Sequence, residues 1–278
     1  MICSSRSHRR IRAWCAALSC LLVGCADHDP LSGLAQGETG RVVRIIDGDA
    51  LVLDTGLTVR LIGIEAPAPE RRNRPGQPYA ETSSRTLEDL AMGRTVRLIY
   101  PGITRDRYDR ALAYVKTDDR LGPAVWLNRE MLRRGAARAR FYPDTSGLGD
   151  LLIQDEAEAR ENNRGLWAMA DYRPRPAWEL AADAQGFYMI TATLGEPRAP
   201  SAEDEDLRCL RALQGTTLEL AITLAADELC LAGLTDSTYE VRGYIYKGQM
   251  EITHRLNAQK LALTNDELGG AKRVEIAQ

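Results

Sequence analysis

Apolar and polar positions alternate soon after residue 39. The runs GRVVRIID (40–47), ALVLD (50–54) and TVRLIGI (58–64) have the alternating or continuous apolar pattern of strands, and the Asp47-Gly48 and Thr55-Gly56 pairs punctuate them as turns. They predict a three-stranded meander. A helical period follows in PYAETSSRTLEDLAMG, then strand patterns in RTVRLIY and ALAYVKT. GPAVWLNREMLRRG and GLGDLLIQDEAEARENNRG read as helices, each with a glycine near its C-terminal end. The order β-β-β-α-β-β-α-α predicts a small barrel with packed helices.

RPRPAW (173–178) reads as the start of a linker. Strand patterns then return in GFYMITATLG, TTLELAIT, STYEVRGYIYKG and QMEITHRL, with the acidic loop APSAEDEDLR among them. Many strands and few helices predict a second small β-barrel, and two barrels in tandem are candidates for distant copies of one topology. The fold class is therefore mainly β with α. The expected organisation is a first barrel domain over residues 39–172, a linker at 173–186, a second barrel at 187–264 and a poorly ordered tail at 265–278.

The N-terminus has another character. Arg6, Arg9, Arg10 and Arg12 precede an apolar run at 13–24 that is too short for a membrane span, which is the pattern of an export signal over residues 1–24. A single uncleaved anchor helix is the alternative. Leu22-Val23-Gly24-Cys25 resembles a bacterial lipobox, which implies that Cys25 becomes the first mature residue and carries lipid. Ala26 in place of aspartate favours the outer membrane over the inner one. The polar stretch 25–38 is then a tether, and the expected location is the cell envelope, facing the periplasm.

Charge and cysteine content sharpen this picture. Residues 60–140 carry 17 basic and 10 acidic side chains, net +7, whereas residues 175–278 carry 10 and 16, net −6. Such asymmetry predicts one anion-facing module and one acidic companion, with a stabilising or protein-binding role for the second. Cys3, Cys15 and Cys20 leave with the signal. Cys209 and Cys230 remain, either as a disulfide suited to an oxidising compartment or as two free buried thiols.

The candidate chemistry lies in the first module. Asp49, in the DGD turn, and Glu65 are hard oxygen donors of the kind Ca2+ or Mg2+ takes. Arg60 and Arg110 are permanently charged planar donors that match phosphate oxygens. Taken singly, a DGD turn is a turn and a strand arginine is a solvated face. Together they form the set expected for phosphodiester cleavage, in which cations stabilise charge on the phosphorus centre. His254 and Trp178 read as structural residues.

IIDGDALVL, VRLIGIEAP, RDRYDRALAYV, WLNREMLRRGAA and AEARENNRGLW, in that order between residues 40 and 167, resemble the staphylococcal nuclease family. The resemblance implies a five-stranded oligonucleotide/oligosaccharide-binding barrel and hydrolysis of DNA or RNA with one Ca2+. It implies metal ligation by Asp49, Glu65 and the carbonyl of Ala66, and phosphate contacts from Arg60 and Arg110. Asp106 and Tyr108 fall on the loop that shapes the substrate site. The family places its general base three residues after the second metal carboxylate, and that position here is Ala68. Either the base is lost, or the repeated Ala-Pro is an insertion and Glu70 replaces it. Two functions follow as expectations: a lipid-anchored, Ca2+-dependent nuclease, or a weakened or inactive nuclease-like lipoprotein that binds nucleic acid or a protein partner.

Overall fold

The computed structural model describes residues 29–72, 74–118, 122–235 and 237–261. The expected signal, Cys25 with the first residues of the expected tether (25–28), and the tail lie outside the described residues. Three strands, β1 (Ala35–Asp47), β2 (Ala50–Leu53) and β3 (Thr58–Leu61), form the expected meander. They are followed by β4 (Ile64–Glu65), α1 (Ala80–Ala91), β5 (Thr95–Tyr100), β6 (Ala111–Thr117), α2 (Leu127–Arg133), β7 (Arg138–Ala139) and α3 (Gly149–Glu161). The five long strands close a barrel in the order β1-β2-β3-β6-β5, with β3 and β6 parallel.

Closure depends on β1, which pairs antiparallel with both β2 and β5. Register shifts along it, between Gln36 and Thr39 and again between Val42 and Arg44, bend one strand around the barrel, as bulges do. The strand begins at Ala35, inside the stretch read from sequence as tether, because residues 35 and 36 already pair with Tyr100 and Ile99. Leu51, Val59, Leu61, Val96, Leu98 and Val115 are fully buried inside. Each contributes about 1.5–3 kcal/mol through burial.

The helices pack against the barrel, α1 on β1 and α2 on β6. α1 buries Ala80, Ser83, Leu87, Leu90 and Ala91, the one-face spacing its sequence predicts. Buried Asn128 on α2 donates to the Ile62 carbonyl at 2.7 Å and accepts from the Val115 amide at 2.9 Å, fixing the helix to both β6 and the β3–β4 turn. The glycines that end α2 and follow α3 touch. Gly135 and Gly165 both have positive φ, and a Cβ on either would strike the other's backbone segment.

The second half contains β8 (Arg175–Pro176), β9 (Gly186–Arg198), β10 (Leu207–Leu213), β11 (Glu219–Thr223), β12 (Thr238–Tyr246), β13 (Gln249–Ile252) and β14 (Ala258–Lys260). Here β9-β10-β11-β13-β12 closes on itself through the β12–β9 pairing, and β11 and β13 are parallel. Strand for strand this is the connectivity of the first barrel, so the tandem copies share one topology. β8 lies within the stretch read as linker, where its pairing with Ile190 and Thr191 makes it strand. The QMEITHRL strand stops at Ile252 because His254 Nδ1 accepts from the Leu256 amide at 3.2 Å and starts a 3-10 turn. Cys209 and Cys230 form a disulfide between β10 and the turn after β11. In the chain-entropy picture such a loop contributes ~3 kcal/mol.

The two barrels belong to one contact unit and meet along a buried charged seam. Arg242 of β12 pairs with Glu156 of α3, both 1% exposed, and donates to Glu240 at 3.0 Å. Arg160 grips both oxygens of Glu240 at 2.7 Å. Glu156 also accepts from the Ala139 amide at 2.8 Å. Burial alone would raise the Glu240 carboxyl, but the hydrogen bond from Arg160 and the two guanidinium charges outweigh it and hold it below its ordinary value. Phe187 and Met189 of β9 pack beside the seam with Leu166, Trp167 and Tyr172.

Two measurements check the seam. Arg242→Met strands the Glu156 carboxylate, so urea unfolding should lose about 3–5 kcal/mol. The double variant Arg242→Met/Glu156→Gln, which keeps an acceptor for Ala139, should lose less. A folded-state value below the usual 4.5 means that Glu240 contributes stability above that pH, and that this contribution disappears as pH falls through the lowered value. Glu240→Gln should therefore flatten the acid limb of a stability–pH curve.

Candidate functional site

The DGD turn joins β1 to β2 and packs tightly. A Cβ on Gly48 would run into Ser83 of α1 and into Ala66, so the backbone must come this close for the turn to sit under β4. The Asp49 amide donates to Asp47 Oδ1 at 3.2 Å. Asp49 itself is 2% exposed. One of its oxygens accepts from the Ala66 amide at 2.6 Å and the other pairs with the Arg60 guanidinium.

Arg60, on β3, reaches across to β4. Its second terminal nitrogen meets Glu65 Oε2 at 2.7 Å, so one guanidinium bridges both predicted metal carboxylates. That same Glu65 oxygen also accepts from Arg140 at 2.9 Å. Burial would raise Glu65, but Arg60 and Arg140 outweigh burial and hold it below its ordinary value, with help from Arg138. Asp47 goes the other way. Burial raises it and the Glu65 charge adds to the rise, against opposition from Arg60 and Arg71.

Arg110 enters the site from the loop before β6. Asp106 holds it by accepting from its Nε at 2.7 Å and from its amide at 3.0 Å. The same carboxylate accepts from the Tyr108 amide at 2.9 Å, and Asp109 takes a left-handed conformation to close the turn. Arg60, Glu65, Asp106, Tyr108, Arg110 and Arg140 line one open cleft of about 1150 Å3. Asp49 and Ala66 are buried beside Arg60.

Ala68 and Glu70 are placed differently. The Ala68 amide donates to Gln77 Oε1 at 2.8 Å and its carbonyl accepts from the Gln77 amide at 2.9 Å. Two residues on from Glu70 the chain reverses, with Arg71 and Arg74 exchanging both backbone hydrogen bonds. The stretches 68–72 and 74–77 are thus held to each other, with Glu70 exposed and its backbone against Gly76. Neither Ala68 nor Glu70 is among the described residues that line the cleft. The structure brings Asp49, Arg60, Glu65, Ala66, Tyr108 and Arg110 together and leaves Glu70 outside.

Two members of the site carried no signal in the sequence. Asp47 was visible only as the first residue of a turn. Arg140 reaches Glu65 because β4 and β7 form a two-residue ladder, with Ile64 opposite Ala139 and Glu65 opposite Arg138. The alternation in ARARFY places such residues on a strand, but nothing local links positions 65 and 140.

Asp49 and Glu65, joined through the Arg60 guanidinium, are oxygen donors of the type that hard divalent cations take, and the Glu65 charge is felt at Asp47. Among the described residues no group of three His, Cys, Asp or Glu side chains is arranged to hold a metal.

Comparison with known proteins gives the family. Residues 58–169 match the family described as staphylococcal nuclease homologue. The thermonuclease of Staphylococcus intermedius is 34% identical over 135 residues, covering 48% of this chain and 77% of that protein. The thermonuclease of Staphylococcus hyicus is 31% identical over 142 residues, covering 48% and 78%. An uncharacterized endonuclease of Escherichia coli is 36% identical over 140 residues, covering 50% and 82%. With two carboxylates bridged by one arginine, a second arginine braced in the same cleft, and this degree of identity, the chain belongs to the staphylococcal nuclease family.

Proposed function

We propose that the protein is a Ca2+-dependent nuclease that hydrolyses phosphodiester bonds of DNA or RNA, working slowly for want of a well-placed base. The observation that carries this reading is the single guanidinium of Arg60 shared between Asp49 and Glu65 at the edge of a cleft that also holds Arg110. Asp49, Glu65 and the Ala66 carbonyl are the groups that would hold the metal. When bound there, Ca2+ supplies charge stabilisation to the phosphoryl oxygens and lowers the pKa of water.

The chain's own residues do the rest. Arg60 and Arg110 present to the phosphate the guanidinium N–H groups that their carboxylate partners leave over, and Asp106, which holds the Nε edge of Arg110, fixes its direction before substrate arrives. Positive charge fixed in this way stabilises the extra negative charge of the transition state without reorganisation. Arg140 keeps Glu65 ionised and aligned. Loss of a general base lowers rates by roughly 10²–10⁴-fold. Ala68 has no proton-accepting group, and Glu70 lies off the cleft, which supports slow turnover with solvent taking the proton.

The placement of Glu70 also favours a second reading, in which the cleft binds nucleic acid without turnover. EDTA-sensitive digestion of single-stranded DNA by the purified chain separates the two. Under the nuclease reading Arg110→Ala lowers kcat by roughly 10²–10³-fold. Glu70→Gln leaves the rate unchanged, and Ala68→Glu, which returns a carboxylate to the family's base position, raises it by up to ~10²–10⁴-fold. Absence of any metal-dependent cleavage in wild type and in Ala68→Glu would sink the enzyme reading.

The location proposed for this activity is the cell envelope, facing the periplasm, with the chain held to the outer membrane by lipid on Cys25. The Cys209–Cys230 disulfide supports an oxidising compartment. Cys25→Ser should move the protein from the membrane fraction to the soluble periplasmic fraction. Retention in the membrane fraction would argue for another anchor.

A further inference from the structure

The cleft that holds Arg60 and Arg110 has two chemically different walls. The first barrel contributes Arg60, Arg105, Arg107, Arg110 and Arg140. The second contributes carboxylates at 203–206 and Glu251, together with Tyr244 and Tyr246 at the end of β12. Four of the chain's ten tyrosines line this one cleft, two from each barrel. Tyr246 is 61% exposed and Tyr108 65% exposed. Tyr244 is held more firmly, with its ring 4.7 Å from the Arg140 guanidinium and 6.5 Å from Phe187.

The acidic loop does not plug the cleft. Among the described residues Arg105 pairs with Glu38 and Asp109, Arg110 with Asp106, and Arg140 with Glu65, all carboxylates of the first barrel. Residues 203–206 line the cleft without pairing to these arginines, and Asp204 is tied to Ser201 at 2.6 Å. A polyanion entering the cleft can therefore lay phosphates along one wall only. Duplex DNA carries a phosphate for every ~1.7 Å of axis and presents them on both flanks. A single strand can turn its phosphates one way and its bases the other. At about 1150 Å3 the cleft exceeds the range usual for a small-ligand pocket, which leaves space for a short run of nucleotides.

We propose that the second barrel is the base-binding and strand-selecting wall of the cleft: Tyr246, backed by Tyr244, stacks a base of a single-stranded nucleic acid whose phosphate rests on Arg60 and Arg110, and the carboxylates at 203–206 and Glu251 exclude a second strand. The assignment deepens the nuclease reading and rests on it for the position of the scissile phosphate. It gives the acidic domain a role toward nucleic acid that its net charge conceals, because selection here works by repulsion of the wrong substrate as well as attraction of the right one.

The test measures binding apart from cleavage. A fluorescently labelled oligodeoxynucleotide, alone or annealed to its complement, is titrated with the full chain in EDTA and followed by anisotropy. The single strand should bind more tightly than the duplex. Tyr246→Ala should weaken single-strand binding roughly 5- to 150-fold, the range for loss of one base stack, while Tyr246→Phe stays near wild type. Converting Glu203, Asp204, Glu205 and Asp206 to their amides should raise duplex affinity far more than single-strand affinity. Equal wild-type affinity for both forms, or no effect of Tyr246→Ala, overturns the proposal. An equal gain for both forms in the amide variant would make the loop a general electrostatic brake and also overturn it. Failure of the nuclease reading looks different: this binding pattern would persist with no EDTA-sensitive cleavage.

Discussion

The buried seam between Arg242, Glu156, Glu240 and Arg160 is the constraint on which the rest of the architecture depends. A carboxylate and a guanidinium that are both 1% exposed hold each other strongly only in a fixed geometry, since burial removes the water that would otherwise compensate a displaced charge. This seam fixes β12 against α3 and β7. The consequences run in both directions along β12. At one end Arg242 is locked to Glu156, and at the other Tyr244 and Tyr246 are delivered to the edge of the cleft. Along β7, the same anchoring places Arg138 and Arg140 beside Glu65. The site of the first barrel is thus framed by the second.

That framing changes how the charge asymmetry is understood. A basic domain and an acidic domain look, in sequence, like a binding module and a bystander. In the folded chain they face each other across one cleft, and the field between them is directional. Phosphate is attracted to the arginine wall and repelled from the carboxylate wall, so orientation as well as affinity is encoded. The aromatic residues sit where that orientation would put bases.

Much of this was legible in the sequence, and the exceptions have a physical pattern. The strands of both barrels could be read because alternation is local, and of the two readings open for Cys209 and Cys230, a disulfide or two free thiols, the structure has the disulfide. Asp49, Arg60 and Glu65 could be read because they lie on one turn and one β3–β4 segment, where spacing is set by strand geometry. Arg140 could not, because it meets Glu65 through pairing of strands far apart in the chain. Tyr246 could not, because its place in the site depends on the seam. Strand ends and linkers were blurred for a related reason. β8 and the first residues of β1 are strand only because a neighbour offers hydrogen bonds, and their own composition does not demand it.

The EAPAPE segment shows how a short repeat reshapes a site. Pro67 and Pro69 fix their own φ and push Ala66 and Ala68 towards extended conformations, so the segment leaves β4 as a stiff arm. A stiff arm needs a partner to end it. Gln77 provides one by taking both backbone groups of Ala68, with its amide and its side-chain oxygen, and the Arg71–Arg74 pairing turns the chain back. Glu70 falls between these two fixed points. To reach the cleft it would have to break the Gln77 clamp or reverse an arm that proline holds extended. A carboxylate two residues late is therefore not equivalent to a displaced base, because the same prolines that move it also prevent its return. Asp49, Arg60 and Glu65 are untouched by this change, since they are fixed on the barrel side of β4. Under the nuclease reading proposed above, the residues that would hold phosphate and the position for a base part company at one point in the chain, between Ala66 and Ala68.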